Sequence, residues 1–255
     1  QRLQTQGINE IVLTGVHVGG YGSDLDTSLF DLVKAILSET DIQRIRFASV
    51  EPWDLPDEFF GLFEDPRLMP HMHLPLQSGS DTVLRRMSRR CKTDSFRHLV
   101  EQARQSVPGF NVTSDIIVGF PGETEAEWQQ TMEYVESVGF GHLHIFSYSP
   151  REGTKASRLP NPVDELIKKE RSLEMHALAE RLKQDFAMQH VGQTVPVLWE
   201  RQKLQGTTAI YAGYTPNFMK VETSVTNAVL LENRIVNTQL IGYDEQNQTL
   251  TGKVG

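Results

Sequence analysis

The chain has 255 residues, with one Cys, 12 Pro and 19 Gly, and its 25 basic and 33 acidic side chains give a formal charge of −8. At about 150 residues per domain this allows one large domain, or a large one and a small one; 38% hydrophobic and 23% charged residues describe a globular chain. No apolar run approaches the ~18–20 residues that span a bilayer, a single cysteine excludes a disulfide framework or a cysteine-built metal site within the chain, and the absence of a signal peptide predicts the cytoplasm.

Residues 1–7 read as the end of a helix. Ile11 to Gly15 reads as a buried strand, and Leu29, Phe30, Leu32, Val33, Ile36 and Leu37 then recur at helical spacing. A strand over Arg44–Val50 precedes a short helix over Pro56–Phe63, and a third strand, His71–Leu76, precedes helices over Ser80–Met87 and Asp94–Ser106. A fourth, Asn111–Val118, closes on Gly119-Phe120-Pro121-Gly122. Thr124-x-x-Glu127 is a capping box that opens a helix with Trp128, Met132, Val135 and Val138 on one face. The fifth strand is His142–Tyr148. Strand starts near 11, 44, 71, 111 and 142 have the rhythm of βα units on a parallel sheet or barrel.

That rhythm stops at Pro150. Asn161-Pro162 reads as an N-cap and first helical position, opening a long charged helix, Val163 to about His190, whose predicted apolar stripe is Leu166, Leu173, Leu178, Leu182 and Phe186. The charges Lys168, Lys169, Arg171 and Lys183 among Glu165, Glu170, Glu174 and Glu180 read as a solvated face. Past Gly192 come short β segments at Thr194–Trp199, Thr208–Tyr211, Phe218–Glu222, Asn227–Leu231, Glu232–Ile241 and Thr249–Thr251. They predict a small five-stranded barrel, hence a boundary between domains 1–191 and 192–255. The expected fold is α/β: a partial parallel (β/α) barrel followed by a small all-β barrel. Five βα units fall short of a closed eight-fold barrel, so at least one unit is expected upstream.

Ligands of parallel sheets sit at the carboxyl ends of the strands. There the chain offers Thr14-Gly15-Val16-His17, Ser49-Val50-Glu51-Pro52, Leu76-Gln77-Ser78-Gly79-Ser80, Ile117-Val118-Gly119-Phe120 and Phe146-Ser147-Tyr148-Ser149. This set is polar and glycine-rich, with one carboxylate; it suits holding a polar cofactor more than moving protons. Singly, each segment is explained by a tight βα turn. His71-x-His73 and His142-x-His144 each put two imidazoles on one strand face, as metal hydrolases do, but nothing else completes a metal site. Seven basic residues from Arg85 to Arg104 face only Asp94 and Glu101; they suit an anion clamp or a solvated helix face equally. Cys91 lies within that stretch, which lowers a thiol's pKa where the thiol is exposed. The segment from Gln193 carries no net charge. Its Tyr214 and Phe218, near Lys220, suit base stacking or core packing equally.

Three segments, His73-Leu74-Pro75-Leu76-Gln77-Ser78-Gly79-Ser80, Thr113 to Thr124 (through Gly119-Phe120-Pro121-Gly122-Glu123) and Phe146-Ser147-Tyr148-Ser149-Pro150-Arg151-Glu152-Gly153-Thr154, resemble the methylthiotransferases of the radical S-adenosylmethionine (SAM) superfamily. Gly213-Tyr214-Thr215-Pro216-Asn217-Phe218 resembles the TRAM domain that ends these enzymes, and Thr14–His17 with Ser49–Pro52 favour the branch acting on threonylcarbamoyladenosine. The resemblance implies a radical SAM partial barrel lacking its first βα unit and a TRAM-like barrel that binds RNA through Tyr214, Phe218 and Lys220. It implies methylthiolation of carbon 2 of N6-threonylcarbamoyladenosine at position 37 of tRNA, in the anticodon loop. The implied cofactors are S-adenosylmethionine, cleaved to a 5′-deoxyadenosyl radical, and two [4Fe-4S] clusters whose cysteines this chain does not contain; the piece by itself is then expected to be inactive. The implied partners are tRNA and an electron donor such as flavodoxin or ferredoxin, with no membrane. Residue by residue, Gly15, Val16 and His17 match the segment that meets the methionine amino group. Ser49, Glu51, Gln77 and Ser78 fall at ribose and carboxylate contacts, Arg89 at the carboxylate clamp, and Val118, Gly119, Phe146 and Tyr148 near the adenine. Isopentenyl-adenosine tRNA or a ribosomal protein is the alternative target; a non-catalytic RNA-binding module and a metal hydrolase are the alternatives of other classes.

Overall fold

The computed structural model describes residues 1–53, 55–205, 208–226 and 230–254. Five parallel strands stand where the sequence predicts them: β1 (Glu10–Leu13), β2 (Arg44–Phe47), β3 (His71–His73), β4 (Asn111–Val118) and β5 (His142–Ser147). β1 pairs with β2, and β3, β4 and β5 pair in order. Single parallel bridges at Ile45/Leu68 and Ser49/His73 connect β2 to β3, so the strands lie in sequence order. The connections carry α2 (Leu29–Glu39), α3 (Asp81–Arg86), α4 (Thr93–Ser106) and α5 (Glu125–Val138), after a short N-terminal α1 (Arg2–Thr5). The segment predicted as a helix over 56–63 is a 3-10 helix, Asp57–Glu64.

Period-two alternation divides the sheet chemically. Ile45, Phe47, Met72, Val112, Ile116 and Leu143 are buried in one hydrophobic cluster with Phe96, Trp128 and Val135 of the helices. The alternate positions Arg44, Arg46, His71, His73, Asn111, Thr113, Asp115, His142 and His144 make the opposite face polar, with Thr113 beside His142 and Asp115 beside His144 in register. The capping box forms as read: Thr124 Oγ1 accepts from Glu127 N at 3.3 Å and Glu127 accepts from Thr124 N at 2.9 Å.

The long helix, α6 (Glu165–Met188), departs from its predicted reading. Its N-cap is Asp164, which accepts from Leu166 N at 2.8 Å. Asn161 instead takes a left-handed turn, φ 58, and its carbonyl accepts from Gly122 N. Leu166 and Leu173 of the predicted stripe are 72% and 64% exposed, whereas Lys168 and Arg171, read as solvated, are 7% and 5% exposed. The reason is local: this half of α6 lies on the polar β4–α5 loop, where the buried carboxylate of Glu123 accepts from Gly119 N and from Arg171, each at 2.9 Å. Glu174 likewise accepts from Trp128 Nε1 at 2.7 Å. Met175, Leu178, Ala179 and Leu182 do pack inward.

Beyond α6, strands β6 (Thr194–Gln205), β7 (Thr208–Tyr214), β8 (Lys220–Thr226), β9 (Arg234–Asp244) and β10 (Thr249–Val254) close a five-stranded barrel in the order β10-β8-β7-β6-β9. Of the segment predicted as a strand over Asn227–Leu231, residues 227–229 lie outside the described residues, and Leu230 and Leu231 are not in a strand. A second hydrophobic cluster, with Val197, Trp199, Tyr211, Val221, Leu240 and Leu250, fills the barrel, and Phe186 and Ala187 of α6 join it. Gly213 is required by close approach, since a Cβ there would lie 2.6 Å from the carbonyl oxygen of Leu198. The small barrel docks at the amino ends of the parallel strands. Arg44 donates to the carbonyls of Tyr214 and Pro196, Arg46 to that of Pro216 at 3.0 Å, and Asn111 to that of Asn217 at 2.8 Å.

Candidate active site

The loops after β1 and β2 and the segment after α3 enclose an open cavity of about 650 Å³ at the carboxyl ends of the strands, lined by Val16, His17, Glu51, Trp53, Met87, Ser88, Arg89 and Arg90. Four expected cofactor contacts, Val16, His17, Glu51 and Arg89, therefore meet in one place although 73 residues separate the first from the last. The bare backbone of Gly20 accommodates the His17 ring: a Cβ there would lie 2.4 Å from His17 Cε1. Oε2 of Glu51 is buried with no hydrogen-bond partner among the described residues. The half-buried guanidinium of Arg89 makes no hydrogen bond or ion pair among the described residues. Burial lowers its pKa, opposed by the charges of Asp115 and Glu51. Cys91, by contrast, is buried, and desolvation pushes its thiol up to about 11, the reverse of the activation its basic neighbourhood suggested.

A second, smaller cavity, about 230 Å³, opens after β4 and β5, where Gly119 and Tyr148 face Lys168. Gly119 has φ +74, and a Cβ would lie 2.2 Å from Lys168 Cγ, so the position tolerates no side chain. Tyr148 packs edge-on to Phe120 at 5.2 Å, with its hydroxyl buried and unpartnered among the described residues. Ser49 lines a third cavity, in the concave face below the strand ends. The remaining expected contacts reach none of the three. Gly15 stands exposed in the loop before Val16. Gln77, in a left-handed turn at φ 80, donates to Asp115 at 3.5 Å. Ser78 is fully buried against Thr131 Oγ1 at 3.2 Å, Val118 belongs to the core, and Phe146 is 54% exposed at the end of β5.

The third cavity, about 570 Å³, lies between the polar face of the sheet, α6 and the small barrel. Both histidine pairs line it, but the partners of the first pair are a hydroxyl and a carboxylate: Thr113 Oγ1 stands 3.2 Å from His71 and 3.0 Å from His73, and His73 Nε2 meets Asp115 at 3.3 Å. Among the described residues no group of three or more His, Cys, Asp or Glu is arranged to hold a metal ion. Burial lowers His71 well below its ordinary value and His142 to about 4, so both rings are neutral at neutral pH. Asp115 is held low: His73, His144 and Gln77 outweigh the burial that opposes its ionisation. The expected RNA contacts Tyr214, Phe218 and Lys220 line this same cavity. Tyr214 stacks on Phe218 at 4.8 Å, and Phe218 lies under Arg46 and beside His71. Sequence reading missed Asp115, Thr113 and Lys183. The i, i+2 spacing of Asn111, Thr113 and Asp115 carried the signal for the first two, and the i, i+3, i+4 spacing of Lys183, Phe186 and Ala187 that for the third.

Comparison with known proteins agrees with this geometry. The family model described as the Radical SAM superfamily matches residues 1–135. The threonylcarbamoyladenosine tRNA methylthiotransferase MtaB of Bacillus subtilis is 37% identical over 252 residues, covering 95% of this chain and 55% of that protein. MtaB of Thermotoga maritima is 42% identical over 218 residues, covering 85% and 50% respectively. In fold, coproporphyrinogen III oxidase (HemN) of Escherichia coli, a radical SAM enzyme, superposes with a TM-score of 0.55 at 14% identity, covering 82% of this chain and 54% of that one. The chain spans about half the length of the curated relatives it matches. No helix among the described residues is long and apolar enough to cross a membrane. With parallel strands in sequence order and a polar cavity at their carboxyl ends, the chain belongs to the radical SAM superfamily, and within it is similar to the MtaB tRNA methylthiotransferases.

Proposed function

We propose that this chain is the S-adenosylmethionine-binding part, with a TRAM-like RNA-binding barrel from residue 192, of a cytoplasmic tRNA methylthiotransferase. The enzyme adds a methylthio group to carbon 2 of N6-threonylcarbamoyladenosine at position 37, in the anticodon loop. The observation that carries the reading is the convergence of Val16, His17, Glu51 and Arg89 on one cavity, in a chain whose relatives are named for that reaction.

The residues fit S-adenosylmethionine. Arg89, free of other hydrogen bonds among the described residues, is a charge-assisted donor for the methionine carboxylate. Oε2 of Glu51, without a partner among the described residues, is an acceptor for an ammonium or ribose hydroxyl, and the buried Tyr148 hydroxyl, likewise without one among them, offers a polar contact. When bound, S-adenosylmethionine supplies the radical and methyl chemistry; these residues bind it and orient it. The iron–sulfur clusters are another matter, because the sole cysteine, Cys91, is buried with its thiol protonated and does not fit as a ligand. The proposed electron donor, a flavodoxin or ferredoxin, serves those clusters.

Titration of S-adenosylmethionine into the intact reconstituted protein tests the site. Arg89→Ala should weaken binding about tenfold or more, the value of a charged hydrogen bond, at an unchanged melting temperature; unchanged affinity refutes the clamp. Mass spectrometry of tRNA nucleosides from a strain lacking the gene tests the reaction. Loss of the 2-methylthio derivative of threonylcarbamoyladenosine is expected, and its persistence refutes the assignment.

A further inference from the structure

Among the described residues, the cavity of about 570 Å³ in the concave face has one cation that no carboxylate meets in an ion pair. Of its three fixed cations, Arg46 is held by Glu10 through two hydrogen bonds of 3.1 Å, and Lys220 meets Glu222 at 2.8 Å. Lys183 has only the amide oxygen of Gln248, at 3.4 Å, and among the described residues no carboxylate lies within ion-pair distance. Burial and the charge of Lys220 lower its pKa, and Glu180, which makes no ion pair with it, only partly opposes them. The rest of the wall is hydrogen-bonding and aromatic: His142 and His144 from the sheet, Tyr214 and Phe218 from the small barrel.

This cavity and the proposed cofactor site both meet the stretch of chain that follows β2. Ser49 lines the one and Glu51 the other, two residues apart in the chain. A planar ligand reaching the strand ends from this face would place a substituent among Lys183, His142 and His144.

We propose that Lys183 is a specificity-determining residue, taking the carboxylate of an anionic side group on the substrate nucleoside. The name of the MtaB relatives supplies the chemistry, for a threonylcarbamoyl group ends in a carboxylate and a hydroxyl, and unmodified adenosine carries neither on its base. A site that pairs a half-buried cation discriminates against the ligand lacking the anion, because that ligand would leave the ammonium unpaired. The inference rests on the proposed tRNA substrate and adds to it the group that reads the modified base.

The test measures binding, with two anticodon stem–loops identical except at position 37, one with threonylcarbamoyladenosine and one with adenosine, titrated against the intact protein by fluorescence anisotropy. The wild type should prefer the modified loop. Lys183→Met, which keeps the aliphatic stem, should reduce that preference about tenfold while affinity for the unmodified loop stays the same, and Lys183→Arg should retain the preference. A wild type without preference for the modified loop overturns both this inference and the assigned target. A wild-type preference that survives Lys183→Met, or a variant that loses affinity for both loops equally, overturns the role of Lys183 alone.

Discussion

Replacing Arg171 by Met should expose how the proposed adenine-side cavity is held open. Arg171 and Glu123 have side chains only 6% and 0% exposed and are joined at 2.9 Å, while the same carboxylate oxygen accepts from Gly119 N. Removing the guanidinium leaves a carboxylate without its counter-charge in a fully buried position, which costs about 3–5 kcal/mol, a large part of a typical 5–15 kcal/mol stability. Burial already raises the pKa of Glu123 despite Arg171 and the Gly119 amide, and the variant raises it further. A carboxyl whose folded pKa lies above its unfolded value gives most stability below the unfolded pKa and loses it as pH rises through the folded one. The loss in Arg171→Met should therefore be larger at pH 8 than at pH 5. Urea unfolding at the two pH values measures it, and the double variant Arg171→Met/Glu123→Gln should recover most of the difference, since a neutral pair needs no counter-charge. A single variant losing under about 1 kcal/mol at pH 8 would refute the buried-pair argument; so would a greater loss at pH 5.

Glu127 should behave in the opposite sense. Arg86 forks onto it at 2.9 and 2.7 Å, and with the Thr124 and Thr82 donors holds its carboxyl down to about 2. Its contribution is complete above the unfolded pKa near 4.3 and is lost as pH falls toward 2, so the roughly 2–3 kcal/mol separating wild type from Glu127→Gln at pH 6 should vanish across that window; a pH-independent difference in urea unfolding contradicts this. Asn217→Ala should loosen the junction of the two barrels, because the amide accepts from Thr215 at 2.6 Å and donates to the Gly109 carbonyl at 3.0 Å, beside His190 Nε2. A loss of about 2 kcal/mol is expected in thermal or urea unfolding, and a neutral substitution would mean that the motif does not secure the interface.

Much of the fold is legible in the sequence, because local physics writes it there. The βα spacing, the Thr124–Glu127 capping box and the alternating β segments each reflect a short-range rule, and the strands, the helix start and the closed small barrel follow. Part of the candidate site is legible too, since loops at strand ends are where a parallel sheet binds ligands; Val16, His17, Glu51 and Arg89 line one cavity there. What is not legible depends on which surfaces face each other. The charges of α6 look solvated by their spacing alone, and only the β4–α5 loop lying on them makes Arg171 a buried partner of Glu123 and leaves Leu166 and Leu173 outside. The stretch Gly213–Phe218 reads as part of a small barrel with base-stacking aromatics, yet its Tyr214, Pro216 and Asn217 carbonyls hold the sheet's Arg44, Arg46 and Asn111. Periodicity determined the elements because each strand or helix must bury its own apolar side; the neighbour chosen for each polar side, over separations of more than a hundred residues, was decided only by the tertiary packing.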